Sequence, residues 1–350
     1  MIAKRFSSAA LAIGLVLGLG VTASPAPTQA QIAARDGIAF NDYVDRLRTR
    51  ARAEGVSEAT VARMTSGLTP NQTVLRLDSG QPGSPTRRGY PAMAPYINTH
   101  VNPTRISRGQ TVYNRDSAAL RAASQRFGVP PEIIVAIFGH ETNYGTIRGD
   151  FDLSRSLATL AWEGRRRELF ENEFIALMKV ADKGYPRDQL VGSYAGAFGN
   201  PQFLPSVYLR LAEDGDGDGR ANIFTNRADT YASIANYFRD AGWRTGQPWG
   251  VRAAVPRGFD VDAYRTEIEA PVCPRVHERH SRWMTVEEWR ALGVQPQRPL
   301  PGDTLVSLFQ PDGPGAPAWL LTGNYRVILE YNCSNYYAMS VGLLADEVAN

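Results

Sequence analysis

Between Pro131 and Gly145 the apolar positions fall three and four residues apart, and the last position of that face is a carboxylate. Ile134, Ile137, Phe138 and Glu141 stand at i, i+3, i+4 and i+7 of a helix opened by Pro130-Pro131 and ended near Gly145. A carboxyl group that continues an apolar stripe is drawn out of water and holds its proton more tightly. Such a group either delivers a proton in catalysis or sits in a structural ion pair, and the helix pattern alone does not separate the two.

The same spacing predicts helices over 31–68, where Phe40, Tyr43, Val44, Leu47, Val61 and Met64 are the apolar positions. Residues 69–92 are rich in Pro, Gly, Ser and Thr and read as an extended or loop segment. Asn102-Pro103 opens a helical stretch through Leu120 towards Phe127, and Gly128-Val129-Pro130 breaks it. Further helices are expected from Ser154 to Lys183, Pro205 to Ala212 and Ala228 to Ala241. The last carries Tyr231, Ile234, Ala235 and Phe238 on one face. After Trp243 the composition shifts towards Pro and short runs. Thr304–Phe309 and Tyr325–Leu329 read as strands, and the final twenty residues return to a helical pattern. The fold class is therefore mainly α, of the α+β kind.

The N-terminus changes the picture of where the chain goes. Lys4 and Arg5 precede an apolar stretch from Ala9 to Thr22, with small residues before Ala23 or Ala30. This reads as a secretory signal over 1–30, the alternative being an uncleaved anchor. The apolar run is short for a membrane span, and no Cys follows it for lipid attachment. The expected product is an exported, periplasmic, soluble chain. In that setting the two cysteines, Cys273 and Cys333, favour a disulfide over two buried thiols. The net charge of +3 is nearly balanced. Arg165-Arg166-Arg167, within an apparent helix, reads as a solvated face and not as a nucleic-acid site. His100, His140, His277 and His280 show no metal-ligand spacing, and Gly-x-Ser-x-Gly is absent.

Asp214-Gly215-Asp216-Gly217-Asp218-Gly219-Arg220 fits the opening of an EF-hand calcium loop. Carboxylates fall at positions 1, 3 and 5, the turn glycine at 6, and the Arg220 carbonyl at 7. Position 12 is Thr225, so closure of the site falls to Asp229, which otherwise serves as a helix N-cap. A structural Ca2+ is expected here, against a solvated Asp-rich turn; no organic cofactor is expected.

Four segments together resemble the lytic murein transglycosylase B family, which cleaves bacterial peptidoglycan. They are Gly139–Gly145, Gly192–Ser206, Asp229–Phe238 ending in Gly242-Trp243, and Tyr331–Met339, and the similarity runs from about residue 37 to the end. The resemblance implies a lysozyme-like helical core. Glu141 matches its single catalytic acid. Ser193 and Gln202 match polar residues near that acid. Tyr96, Tyr237, Asn332 and Tyr337 match further substrate-binding residues. His140 stands where the family usually has an apolar residue. The implied layout is a signal peptide (1–30), an N-terminal helical region (31–125), and a catalytic core with the EF-hand-like loop (126–243). A small β-containing subdomain (244–330) and a C-terminal helix returning to the core (331–350) complete it.

The implied reaction breaks the MurNAc-GlcNAc β-1,4 bond and leaves 1,6-anhydro-MurNAc, a carbon–oxygen lyase outcome. One carboxyl group first donates a proton to the glycosidic oxygen and then accepts one from the C6 hydroxyl. The N-acetyl group of the substrate would assist, as in other substrate-assisted exceptions to the two-carboxylate rule. The partners are peptidoglycan glycan strands, with no nucleic acid and no membrane span in the mature chain. A hydrolase of the same fold and a catalytically silent cell-wall binding protein are the rival readings.

Overall fold

The computed structural model describes residues 37–80, 90–267 and 269–350. The expected signal segment, with its cleavage positions, lies outside the described residues, as do 31–36 and 81–89. Two compact units emerge, each built from separate stretches of chain. The Glu141 unit comprises 37–80 and 141–233 of the described residues, and the sheet unit comprises 90–140 and 234–350.

The Glu141 unit opens with α1 (Phe40–Ala53), α2 (Glu58–Thr65) and α3 (Gln72–Ser79). Phe40, Tyr43, Val44 and Leu47 are buried along α1, as the spacing predicts. The helix α3 corrects the reading of 69–92 as loop. The Asn71 side chain accepts from the N–H groups of Thr73 and Val74, a cap strong enough to start a helix within a polar stretch. The sheet unit then contributes α4 (Met93–His100), α5 (Pro103–Arg115) and α6 (Ser117–Phe127). Asn102 caps α5, with Pro103 behind it, and Gly128 ends α6 at φ 75°.

Helix α7 (Pro131–Thr142) carries the chain from the sheet unit into the Glu141 unit, the division falling between His140 and Glu141. Every residue from Ile133 to Phe138 is buried. The helix is enclosed on all sides, so its apolar face is not one stripe. Next come β1 (Phe151–Asp152), α8 (Leu153–Glu163), α9 (Arg167–Asp182), β2 (Val191–Gly192) and α10 (Pro205–Leu211). α8 and α9 pack on each other and on α1. Arg165 and Arg166 lie in the turn between α8 and α9, not in a solvated helix face. Both pair with Asp78, only 3% exposed. A buried carboxylate needs such partners.

Helix α11 (Arg227–Asp240) runs back into the sheet unit. There follow β3 (Gly250–Ala254), the short α12 (Pro274–His277), β4 (Met284–Thr285), α13 (Val286–Ala291), β5 (Gln295–Pro296), β6 (Leu305–Phe309) and β7 (Ala318–Leu321). The five strands form an antiparallel sheet in the order β4-β6-β7-β3-β5. Val251 and Ala253 alternate inward along β3 and pack with Trp289, Val306, Leu308 and Leu320. Two helices close the chain, α14 (Gly323–Tyr331) and α15 (Asn335–Val348), and α15 packs on α4 and α5.

Helix α14 overturns the reading of Tyr325–Leu329 as a strand. A short apolar run fits a buried helix as well as a strand. Thr322 decides it by capping the Asn324 N–H, while Asn324 Nδ2 donates to the carbonyls of Arg244 and Gln247. Cys273 and Cys333 form the expected disulfide, with Cα atoms 5.3 Å apart. Among the described residues no helix is long and apolar enough to cross a membrane.

Candidate active site

Glu141 is the penultimate residue of α7 and is half-buried. The chain after it turns in an uncommon way. Asn143 and Tyr144 take φ of 48° and 61°, a left-handed conformation that side chains disfavour. Thr142, buried beside them, donates from Oγ1 to the Asn200 carbonyl at 3.2 Å and accepts from the Gly145 N–H at 3.1 Å.

Ser193 and Gln202 sit on a loop folded back on itself twice. Gly192 bridges to Phe198, and Phe198 bridges to Phe203. The Ser193 N–H donates to the Ala197 carbonyl at 2.8 Å, and Ser193 Oγ accepts from the Ala197 N–H at 3.0 Å. Gln202, left-handed at φ 51°, donates from Nε2 to the Gly199 carbonyl at 2.8 Å. The loop is fastened to the segment after Glu141 at two points. One is the Thr142–Asn200 bond. The other is Gly149, where any Cβ would lie 2.4 Å from the Gly192 carbonyl oxygen. Asn143, Tyr144 and Gln202 make three of the four non-glycine residues at positive φ among the described residues, and strain of this kind gathers at functional sites.

The structural alternative for a buried glutamate is visible elsewhere in the unit. Glu173, 4% exposed, accepts from Ser206 N–H at 2.9 Å and Ser206 Oγ at 2.6 Å. Burial pushes its pKa up while those two bonds pull it down. Its role is to start α10.

The sheet unit holds the remaining residues in two groups. Tyr96 stacks on His100 at 3.8 Å, His100 lies 5.9 Å from His140, and His140 lies 5.5 Å from Tyr337. Burial first, then the Arg105 and His100 charges, holds the His140 imidazole down at about 3. The ring is therefore neutral near pH 7 and takes its place in an aromatic row. In the second group the Tyr237 hydroxyl donates to the Glu330 carbonyl at 2.8 Å, and its ring lies 4.6 Å from that of Tyr331. Asn332 follows directly, and its Oδ1 is buried without a hydrogen-bond partner among the described residues.

In the acidic loop, Asp214, Asp216 and Asp229 bring carboxylate oxygens within 4.8 Å of one another. Asp218 stands outside that trio and accepts from the Arg220 N–H at 2.8 Å. Asp229 is not an N-cap. Asn226 fills that role, accepting from the N–H groups of Ala228 and Asp229. Asp229 instead turns back to accept from Gly215 N–H at 2.8 Å and Asn222 N–H at 2.6 Å. It is fully buried. Burial raises its pKa against the pull of those two donors, and the Asp216 and Asp214 carboxylates raise it further. Three oxygen donors and excess negative charge in one place fit a hard divalent cation. The sequence pattern singled out neither Thr142 nor Asn200, which meet across 58 residues; Asn226 carries a local signal, an N-cap residue type directly ahead of α11, that the apolar pattern passes over.

The helical fold, with Glu141 at the end of α7 and a polar loop fastened beside it, fits an enzyme that cleaves glycans. Residues 39–346 match the family described as the transglycosylase SLT domain, and the chain belongs to that family. It is a lytic transglycosylase with a lysozyme-like, mainly α fold. It is 34% identical over 321 residues to membrane-bound lytic murein transglycosylase B of Escherichia coli (strain K12), covering 88% of this chain and 81% of that one. SltB3 from Pseudomonas aeruginosa in complex with NAG-anhNAM-pentapeptide superposes with a TM-score of 0.79 and 36% identity, over 90% of this chain and 80% of that one. Escherichia coli Slt35 in complex with calcium gives 0.71 and 30%, over 91% and 96%.

Proposed function

We propose that this chain cleaves the MurNAc-GlcNAc bond of peptidoglycan with Glu141 as acid and then base. The Glu141 carboxyl group protonates the bridging oxygen as the C1–O bond breaks. The resulting carboxylate takes the C6 hydroxyl proton as O6 bonds to C1. No water enters, so the product is a 1,6-anhydro sugar, the form that SltB3 holds in its complex. The C6 hydroxyl is already on the bound sugar, and its attack gains from proximity. The observation that carries this reading is the fastening of the Ser193–Gln202 loop to the chain just beyond Glu141.

In this reading Ser193 and Gln202 orient the sugar at Glu141, and Tyr96, Tyr237 and Tyr337 are substrate-binding residues with the flat apolar surface that sugars favour. The unpartnered Asn332 Oδ1 supplies an acceptor for a substrate donor. A structural Ca2+ is held by Asp214, Asp216 and Asp229, with Asp218 and the Arg220 carbonyl completing the loop. The chain is exported by its signal segment, which is then removed after Ala23 or Ala30, and works on glycan strands in the periplasm.

The test is the mass of the products from purified peptidoglycan. Fragments lighter by one water than lysozyme products, and resistant to borohydride, are expected. Reducible ends as the main product would establish a hydrolase instead.

A further inference from the structure

The Glu141 unit contains a polar chain that this chemistry does not use. It begins at Thr142, the residue after Glu141, 1% exposed, whose Oγ1 donates to the Asn200 carbonyl. Asn200, 4% exposed, donates from Nδ2 to Thr230 Oγ1 at 3.1 Å. Thr230 is fully buried and donates from Oγ1 to the Asn226 carbonyl at 2.8 Å. Asn226 donates from Nδ2 to Asp216 Oδ2 at 2.7 Å. Four residues thus link the end of α7 to the acidic loop, two of the links passing through the main-chain carbonyls of Asn200 and Asn226.

Three features set this chain apart from ordinary core satisfaction. Its donors and acceptors up to Thr230 are withdrawn from water, so a broken link strands a buried polar group. Its first member, Thr142, lies between the acid and the two left-handed residues Asn143 and Tyr144. Backbone held in that region persists only where its surroundings over-determine it. At its far end it joins one of the three clustered carboxylates.

We propose that Thr142, Asn200, Thr230 and Asn226 form a positioning chain for the Glu141 carboxyl group, tying its place to the acidic loop. The proposal rests on the reading of Glu141 as the acid. None of the four is a catalytic residue; each acts through Glu141. A reacting group displaced by about 1 Å loses on the order of 100-fold in rate, so a partial loosening is expected to cost about ten-fold.

The experiment uses the full chain acting on a soluble glycan fragment, with Thr142→Val, Thr142→Ser and Thr230→Val. Valine keeps the shape of threonine and removes its hydrogen bonds; serine keeps the hydroxyl. Thr142→Val is expected to lower kcat about ten-fold with KM within about two-fold, and Thr142→Ser to restore kcat to within about two-fold. Wild-type kcat is expected to be lower in chelator than in calcium chloride, and Thr230→Val to abolish that difference; equal wild-type kcat in the two would overturn the tie to the acidic loop. Calcium should still raise the melting temperature of Thr230→Val, because Asp214, Asp216 and Asp229 are untouched. Loss of activity in proportion to loss of folded protein, or equal kcat for the valine and serine variants, would overturn the proposal. Should Thr142→Val not fold, Thr230→Val decides: a retained calcium dependence of kcat overturns the coupling. Glu141→Gln serves as the control. Turnover by that variant removes the acid assignment itself, whereas its silence beside an unaffected Thr142→Val removes only the positioning chain.

Discussion

The two units hold their candidate residues by different physical means. Around Glu141 the fixing is done by backbone. Ser193 and Gln202 ride on a loop closed by main-chain hydrogen bonds, a glycine contact and the buried Thr142–Asn200 link. In the sheet unit the fixing is done by rings and a covalent bond. Tyr96, His100 and His140 stack in a row with the Tyr337 ring tilted at its end, and Cys333 ties the Asn332 segment to Cys273 across 60 residues. A proton donor must be placed to a fraction of an ångström, and directional hydrogen bonds do that. A sugar-binding ring tolerates sliding, and dispersion contacts are enough for it.

The sharpest way to break this contrast is to remove the acid while keeping its shape. Glu141→Gln is expected to lower turnover of peptidoglycan about 10³-fold or more, within what a positioned general acid supplies with its preorganised surroundings. Its melting curve should be that of the wild type. A folded Glu141→Gln protein digesting peptidoglycan at near wild-type rate refutes the assignment.

Reduction probes the sheet unit. Breaking the disulfide with a Cys273→Ser, Cys333→Ser double variant is expected to lower stability by up to about 4 kcal/mol, the chain-entropy value for a loop of this length. The urea midpoint reads this directly. A midpoint that does not move would mean that the rings alone hold the Asn332 segment.

Calcium probes the Glu141 unit. At free calcium 100 times its dissociation constant, stability should rise by about 2.7 kcal/mol. Asp214→Ala should erase the calcium-dependent rise in melting temperature. Identical melting curves in calcium and in chelator would make the Asp214–Asp229 segment an ordinary turn.

A pH dependence is also seated in the sheet unit. His280 is 3% exposed, 2.8 Å from Asn335 Oδ1 by its Nε2, and burial holds its pKa down at about 3. The unfolded chain takes up a proton near pH 6.5, which the folded site refuses. Stability from this group is therefore complete above about pH 6.5 and falls by about 1.4 kcal/mol per pH unit between there and about 3. NMR of the folded protein should show the His280 ring neutral at pH 5. A titration midpoint near 6.5 would contradict the buried site.

Residue patterns near in sequence were legible. The proline-opened helix bearing Glu141, the apolar-patterned helices of the first seventy residues, strand β6 and the paired cysteines all follow from spacing and composition. So does the Asp/Gly repeat whose first two carboxylates cluster. The misreadings fell where a local signal is ambiguous. Val327-Ile328-Leu329 has the composition of a strand, and the Thr322 cap made it helix. Residues 69–92 have the composition of a loop, and Asn71 seeded α3. Arg165 and Arg166 have the composition of a solvated face, and Asp78 meets them from 87 and 88 residues away in the chain.

What the sequence determined by itself is the kind of protein this is, because motif order and helix periodicity are written in neighbouring residues. Tertiary structure alone decided how the parts are fastened: Thr142 to Asn200, Asn200 to Thr230, Asp229 back to Gly215. A side-chain hydrogen bond depends on angles and distances between segments that meet only in the folded chain. Neither partner carries a signature of the other, so spacing along the sequence does not reveal them.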